Sequence, residues 1–186
     1  MEIRSHIEAF FQRVLERETE IYNEFSLQHE LGLHLRTAGV DHKVQFERPV
    51  EFFGISKSAT TKREIDIAVF SGDRQTPQAI ELKFPRNGQV PEQMFSACVD
   101  IAFLEDLVRA GFSTSYFVIV AEDSLFWQGR DEHGIYAPFR AGRPIHGLIR
   151  KPTGKQDATV DIAGSYMVRW QGGQQLRYAV VEVAQV

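Results

Sequence analysis

Cysteine is almost absent from the chain. Cys98 is the single one in 186 residues, which excludes an intrachain disulfide framework. It lies in an apolar stretch, where a buried structural thiol is the expected role. Long hydrophobic runs are missing too. A run such as residues 116–121 is far too short to span a bilayer, and Met1-Glu2-Ile3-Arg4 lacks the apolar stretch of a signal peptide. A soluble, cytoplasmic protein without a membrane partner is therefore expected. The histidines show no metal spacing: His29 and His34 are five apart, off the i, i+4 step that lets two rings reach one zinc ion. No Walker-type or Rossmann glycine loop occurs, and no serine or cysteine triad is suggested. A basic excess is also lacking. The formal net charge of −4 argues against a protein that coats nucleic acid through bulk electrostatics, although an acidic active site lowers such a total.

What is present is one core's worth of apolar residues, 43% of the chain, enough for a single domain over residues 1–186. There is no repeat and no low-complexity tract. Residues 3–22 carry Ile7, Phe10, Phe11, Val14 and Leu15 at helical spacing. A second helix, capped by Asn23 or Ser26, sets Leu27, Leu31, Leu35 and Ala38 on one stripe and ends at Gly39. Residues 43–53 read as β-formers interrupted by Pro49. The clearest strands are 64–70 and 78–84, joined by a Gly-, Asp- and Pro-rich turn as a hairpin. Pro91 opens a helix to about Ala110 that is apolar nearly all round, so it should be buried on more than one side. Residues 115–121 form a continuous apolar run typical of an interior strand, and the helix before it suggests a crossover. The remainder is turn-rich, with strands expected at 166–170 and 176–183 joined at Gly172-Gly173.

The chemistry collects on the hairpin. Period-two alternation places Ile65, Ile67 and Val69 on one face and Glu64, Asp66 and Ala68 on the other; in the partner strand Ala79, Glu81 and Lys83 lie opposite Ile80, Leu82 and Phe84. If the hairpin pairs Asp66 with Glu81, two carboxylates and an ammonium share one open patch. Two negative charges about 4 Å apart repel by roughly 4 kcal/mol at an effective dielectric near 20, which calls for a proton or a cation. Mg²⁺ prefers oxygen ligands, and the Leu82 carbonyl can add a third oxygen to the carboxylates. A hairpin with one charged face is also what a solvated, salt-bridged surface looks like.

The order of elements tips the balance. A helix with an internal glutamate, a strand, a hairpin of the form D…ExK, a helix and a buried strand resemble the PD-(D/E)xK nuclease superfamily over residues 23–121. Matching residues are Glu30, Asp66 and Glu81-Leu82-Lys83. Stretches 23–31 and 100–105 are similar to small bacterial members of that group; Ile65 departs from the pattern by standing where a proline would. The resemblance implies an α/β fold with a restriction-endonuclease-like core, a central mixed β-sheet flanked by helices, and a β-rich C-terminal extension at about 122–186. It implies Asp66 and Glu81 as ligands of one or two Mg²⁺ (or Mn²⁺) ions, Lys83 orienting the attacking water, and Glu30 completing the metal shell. Glu24 lies on the Leu27, Leu31, Leu35 stripe and competes with Glu30. Glu47 either faces the same patch or pairs elsewhere, Gln93 starts the buried helix, and Asp100 is an internal polar group of undecided role. The expected activity is metal-dependent hydrolysis of nucleic acid, DNA before RNA, with a homodimer plausible for duplex substrates. Basic segments would contact the phosphate backbone: Lys57, Lys62 and Arg63 in one, and Arg140, Arg143, Arg150, Lys151 and Lys155 in the other. The competing reading is a catalytically silent nuclease-like fold that binds nucleic acid or protein.

Overall fold

Apolar spacing of both periods, 3.6 and 2, is realised in a mixed α/β architecture. A computed structural model of the chain describes residues 2–38, 42–86, 88–154 and 157–185. Two helices come first, α1 (Ile3–Leu15) and α2 (Glu24–Ala38). Strand β1 (Lys43–Pro49), a 3-10 turn (Val50–Phe53), β2 (Glu64–Phe70) and β3 (Gln78–Lys83) follow. Helix α3 (Val90–Arg109) then leads to β4 (Ser115–Ala121), and the chain continues through α4 (Ala137–Arg140), β5 (Ile145–Arg150), β6 (Thr159–Tyr166), β7 (Gln171–Gly172) and β8 (Arg177–Val183).

Six strands make the central sheet, in the order β1-β2-β3-β4-β8-β7. Only β3 and β4 run parallel, because α3 carries the chain back to the starting end between them. One face of the sheet, with Ile67, Val69, Ile80, Leu82, Val118 and Val120, packs on α1 and α2. The other face, with Ala68, Ala79, Phe117, Ile119 and Val181, packs on α3. Strands β5 and β6 form a separate two-stranded sheet against α3, which explains why that helix is apolar nearly all round. The parallel strand β4, covered on both faces, is buried at every position.

Several expectations shift. Helix α1 stops at Leu15 instead of reaching residue 22, and Ala38 is exposed while Leu27, Leu31 and Leu35 are buried. Gly39 and Lys155 lie outside the described residues. The strand expected at 166–170 lies instead at Thr159–Tyr166, where Val160, Ile162, Gly164 and Tyr166 alternate inward. Strand β5 was not foreseen, since Gly147 at φ 69 and a register shift interrupt its pattern. The segment after residue 121 is more than an extension: β8 pairs with β4 along its length and belongs to the central sheet. Among the described residues, no helix is long and apolar enough to cross a membrane.

Candidate functional site

The antiparallel ladder between β2 and β3 runs from Val69–Gln78 through Ala68–Ala79 to Ile67–Ile80 and stops. The next rung would set Asp66 against Glu81, and there side chains replace the ladder. The Asp66 N–H donates to Glu81 Oε1 (3.1 Å), and the Leu82 N–H donates to Asp66 Oδ2 (2.7 Å). The neighbouring strand is irregular at the same level: Glu47, flanked by the Phe46–Ile67 and Arg48–Ile65 pairs, has φ 49. A non-glycine residue in that left-handed region costs about 1 kcal/mol or more. The break also corrects the expected alternation, because Ile67 and Val69 pack toward the α1 and α2 layer while Ile65 joins the cluster on the α3 side. Gln28 of α2 ties the irregular level together, its Nε2 donating to the Asp66 carbonyl (2.8 Å) and to Glu47 Oε1 (2.6 Å).

The patch expected to be open is covered. Helix α3 lies over it, leaving Glu81 0% exposed and bringing in Asp100, itself 2% exposed. Burying carboxylates without partners is costly, so each finds a cation. The Lys62 ammonium contacts Glu81 Oε2 and lies 2.9 Å from Asp100 Oδ1, while Lys83 Nζ lies 3.1 Å from Asp100 Oδ2. Asp100 Oδ2 has no hydrogen bond, so its tie to Lys83 is a charge contact. Burial, assisted by Asp100 and Glu24, lifts Asp66 to a pKa of about 6 against the pull of Lys62 and the Leu82 amide. Burial and then the Asp66 charge push Glu81 well above the ordinary carboxylate range. Burial works against both ammoniums but is outweighed: Glu81, Asp100 and Asp66 hold Lys62 above the usual lysine value, and Asp100 and Glu24 do so for Lys83. The result is a charged cluster of three acids and two amines inside the fold.

No family model, curated protein or solved structure matches this chain.

The remaining candidates fall into two groups. Glu24 reaches the site, its Oε2 accepting from the Phe84 N–H (2.9 Å) just past Lys83. Glu30 does not share that stripe, since helical geometry turns it on the order of 100° away from the Glu24, Leu27, Leu31 line. Glu30 is half-buried on α2, and Glu24 is the α2 acid whose charge acts on Asp66 and Lys83. Glu47 is exposed and is tied to the site through Gln28. Gln93, half-buried, lies seven residues before Asp100 and so on the same side of α3, toward the carboxyl end of β3.

Lys62, expected to bind substrate, is committed to the acids instead. Arg140 is likewise committed, because its guanidinium donates to the Leu125 and Asp131 carbonyls and stacks on Tyr136 at 4.1 Å. Arg63, Arg143 and Arg150 are exposed. Arg143 and Arg150 line a hollow of about 330 Å³ with His146 and Leu148, in the β5 layer that α3 separates from the acids. Lys151 is half-buried in the turn whose Thr153 contacts Glu92, at the start of α3. A larger cavity of about 580 Å³ is lined by Glu51, Phe52, Arg74 and Phe112 and has no wall in common with the acidic cluster.

Among the described residues, no group of three or more His, Cys, Asp or Glu side chains is arranged to hold a metal ion. The donors nevertheless suit a hard cation. They are carboxylate oxygens of raised proton affinity, and an ammonium already sits among them. The contributions of Lys62, Asp100 and Gln28 were not legible beforehand, since nothing in their spacing from Asp66 marks them as neighbours.

Proposed function

We propose that the chain is a metal-dependent nuclease of the PD-(D/E)xK kind, with a restriction-endonuclease-like core, hydrolysing phosphodiester bonds of nucleic acid, DNA foremost. What carries the reading is the broken rung: the Asp66 N–H donates to the Glu81 carboxylate and the Leu82 N–H to the Asp66 carboxylate there, and Lys83 follows at the carboxyl end of β3. The carboxyl ends of parallel strands are where open α/β sheets tend to place ligands. Asp66, Glu81 and the Leu82 carbonyl would hold Mg²⁺ or Mn²⁺, with Glu24 beside them. A divalent ion there supplies polarisation of the scissile phosphate and a lower pKa for bound water. Lys83, held protonated beside Asp100, would orient an attacking water and steady the charge growing on the phosphate oxygens. Helix α3 shields these groups from bulk water, which strengthens each interaction. Exposed Arg63 supplies a backbone contact whose strength falls with salt, whereas Arg143 and Arg150 lie in the layer beyond α3 and would touch only a substrate long enough to reach around it.

The test is incubation of the purified protein with single-stranded, duplex and branched DNA and with RNA, in Mg²⁺ or Mn²⁺ against EDTA. Cutting that needs metal and drops at least about 100-fold in both Asp66→Ala and Lys83→Ala is the expected result. Equal cutting by wild type and variants overturns the assignment. One observation favours a second reading, a silent binding module: Glu81 is wholly buried and its Oε2 is taken by Lys62. Nucleic-acid binding without any metal-dependent cutting selects that reading.

A further inference from the structure

Phe25 is the large apolar side chain with the greatest exposure among the described residues, 80%, and Tyr22 follows at 62%. Both rings stand at the start of α2, the helix that sends two side chains to the level of the acidic cluster. Glu24 Oε2 accepts from the Phe84 N–H (2.9 Å) just past β3, and Gln28 Nε2 donates to the Asp66 carbonyl (2.8 Å) on β2. Phe25 lies one residue after the first anchor and, at i, i+3 spacing, on the same helix face as the second. It is therefore carried at the rim of the site with its ring in water. The backbone beneath is fixed by a reciprocal cap. The Ser26 N–H donates to Asn23 Oδ1 (2.8 Å), and Ser26 Oγ accepts from the Tyr22 and Asn23 N–H groups (2.8 and 3.0 Å). Holding two rings in water on so firm a turn gains nothing for folding, because an aromatic side chain stabilises by leaving water.

We propose that Phe25, with Tyr22 three residues before it, is a stacking platform for unpaired bases, so that the substrate is single-stranded nucleic acid or a strand end freed from its duplex. This rests on reading the site as one that acts on nucleic acid, and it narrows the substrate. A base offers a flat face to a ring only when it is out of the double helix; inside a duplex both faces are taken by neighbouring base pairs. Such stacking tolerates any sequence, since every base has a π-face. The surroundings favour a base over an apolar protein partner. The side chains next to Phe25 along the helix, Asn23, Glu24, Gln28 and His29, are polar, and the exposed aliphatic on the same face, Leu33, stands about two turns on. Rings set among polar groups suit a ligand that is itself a flat ring with polar edges. Arg86, exposed and paired at the surface with Glu122, has its guanidinium 5.3 Å from the Phe84 ring and brings a cation for the strand's phosphates to the same end of β3.

The experiment is fluorescence anisotropy on the full chain, in EDTA so that nothing is cut. The probes are a short labelled oligothymidylate, a duplex of the same length, and an abasic strand that keeps the phosphates and lacks the bases. Wild type is expected to bind the oligothymidylate more tightly than the duplex. Phe25→Ala is expected to lose at least about fivefold on the oligothymidylate and nothing on the abasic strand, and Phe25→Trp to bind as wild type does. Because Phe25 is exposed, Phe25→Ala leaves the fold intact, which an unchanged melting temperature checks. Equal affinity of wild type and Phe25→Ala for the oligothymidylate overturns the proposal, as do an equal loss on the abasic strand and the absence of single-strand binding by wild type. A dimer that dissociates in Phe25→Ala with strand binding unchanged also overturns it, and assigns the rings to contact between copies of the chain. Phe25-dependent binding without metal-dependent cutting of any strand would sink the nuclease and leave the platform standing. Cutting that is lost in Asp66→Ala, equal on single strand and duplex, and unmoved by Phe25→Ala would do the reverse.

Discussion

Glu47 is the residue at which the backbone departs furthest from what its strand would choose. A left-handed conformation is open to glycine at no steric cost, while any side chain with a Cβ is penalised by about 1 kcal/mol. Glu47 offsets part of this by accepting from Gln28, the residue that also holds the Asp66 carbonyl. Glu47→Gly and Glu47→Ala both remove the carboxylate, but only glycine relieves the backbone. Glu47→Gly is therefore expected to be the more stable of the two by about 1 kcal/mol in urea denaturation. Equal stabilities would mean that the conformation is not strained. The same residue shows a limit of sequence reading: alternation located Glu47 on a strand beside the site, but a positive φ leaves no trace in a Glu codon's neighbours.

At the scale of elements, α2 contains a glycine where helix propensity alone would choose alanine. Gly32 is buried in mid-helix, and a Cβ there would run into the Phe46 ring of β1. Two effects oppose each other in Gly32→Ala: a propensity gain of about 1 kcal/mol, and displacement of the ring that also carries Arg36 at 5.0 Å, at a cost of about 2 kcal/mol. Because the ring lies against the helix itself, displacement should win. Thermal melting is expected to show a net loss of about 1 kcal/mol, and a raised melting temperature would contradict the close approach. The elements with strong periodicity were legible: α3, β2, β3 and β4 lie within a residue or so of where the sequence puts them. The opposition of Asp66 and Glu81 follows from the hairpin register in the same way. What could not be read is what one element does to another. Nothing local to Glu81 says that α3 will cover it, and the run from Gly54 to Arg63 gives no hint that Lys62 turns inward. Strand β5, bent at Gly147, hides its pattern for the same reason that it bends.

The molecule as a whole is layered: two helices, a six-stranded sheet, one helix, and a two-stranded sheet. Its acids sit in the middle of this stack, so the fold carries them at a cost near neutral pH. Asp66, with a pKa raised to about 6 from the usual 3.8, favours the protonated form when folded. The stabilisation from that proton is complete below 3.8 and is lost as pH rises through about 6. Asp66→Asn keeps an acceptor for the Leu82 amide without the charge. Since Asp66 is only half-buried, water screens part of the penalty, and the variant is expected to gain about 1 kcal/mol at pH 7.5. Melting curves for both proteins from pH 4 to 8 should show the gain shrinking toward pH 4; a difference that does not vary with pH would show that the charge is not what costs.

Strand β4, buried at every position, has β3 on one edge and β8 on the other. The first neighbour is made shortly before it and the second long after, so a growing polypeptide must carry an unzipped seam of Tyr116, Val118 and Val120 until residues 177–183 arrive. During that interval the seam can pair with another chain as readily as with its own. The acidic cluster beside it thus depends on a closing strand that contributes no group to it.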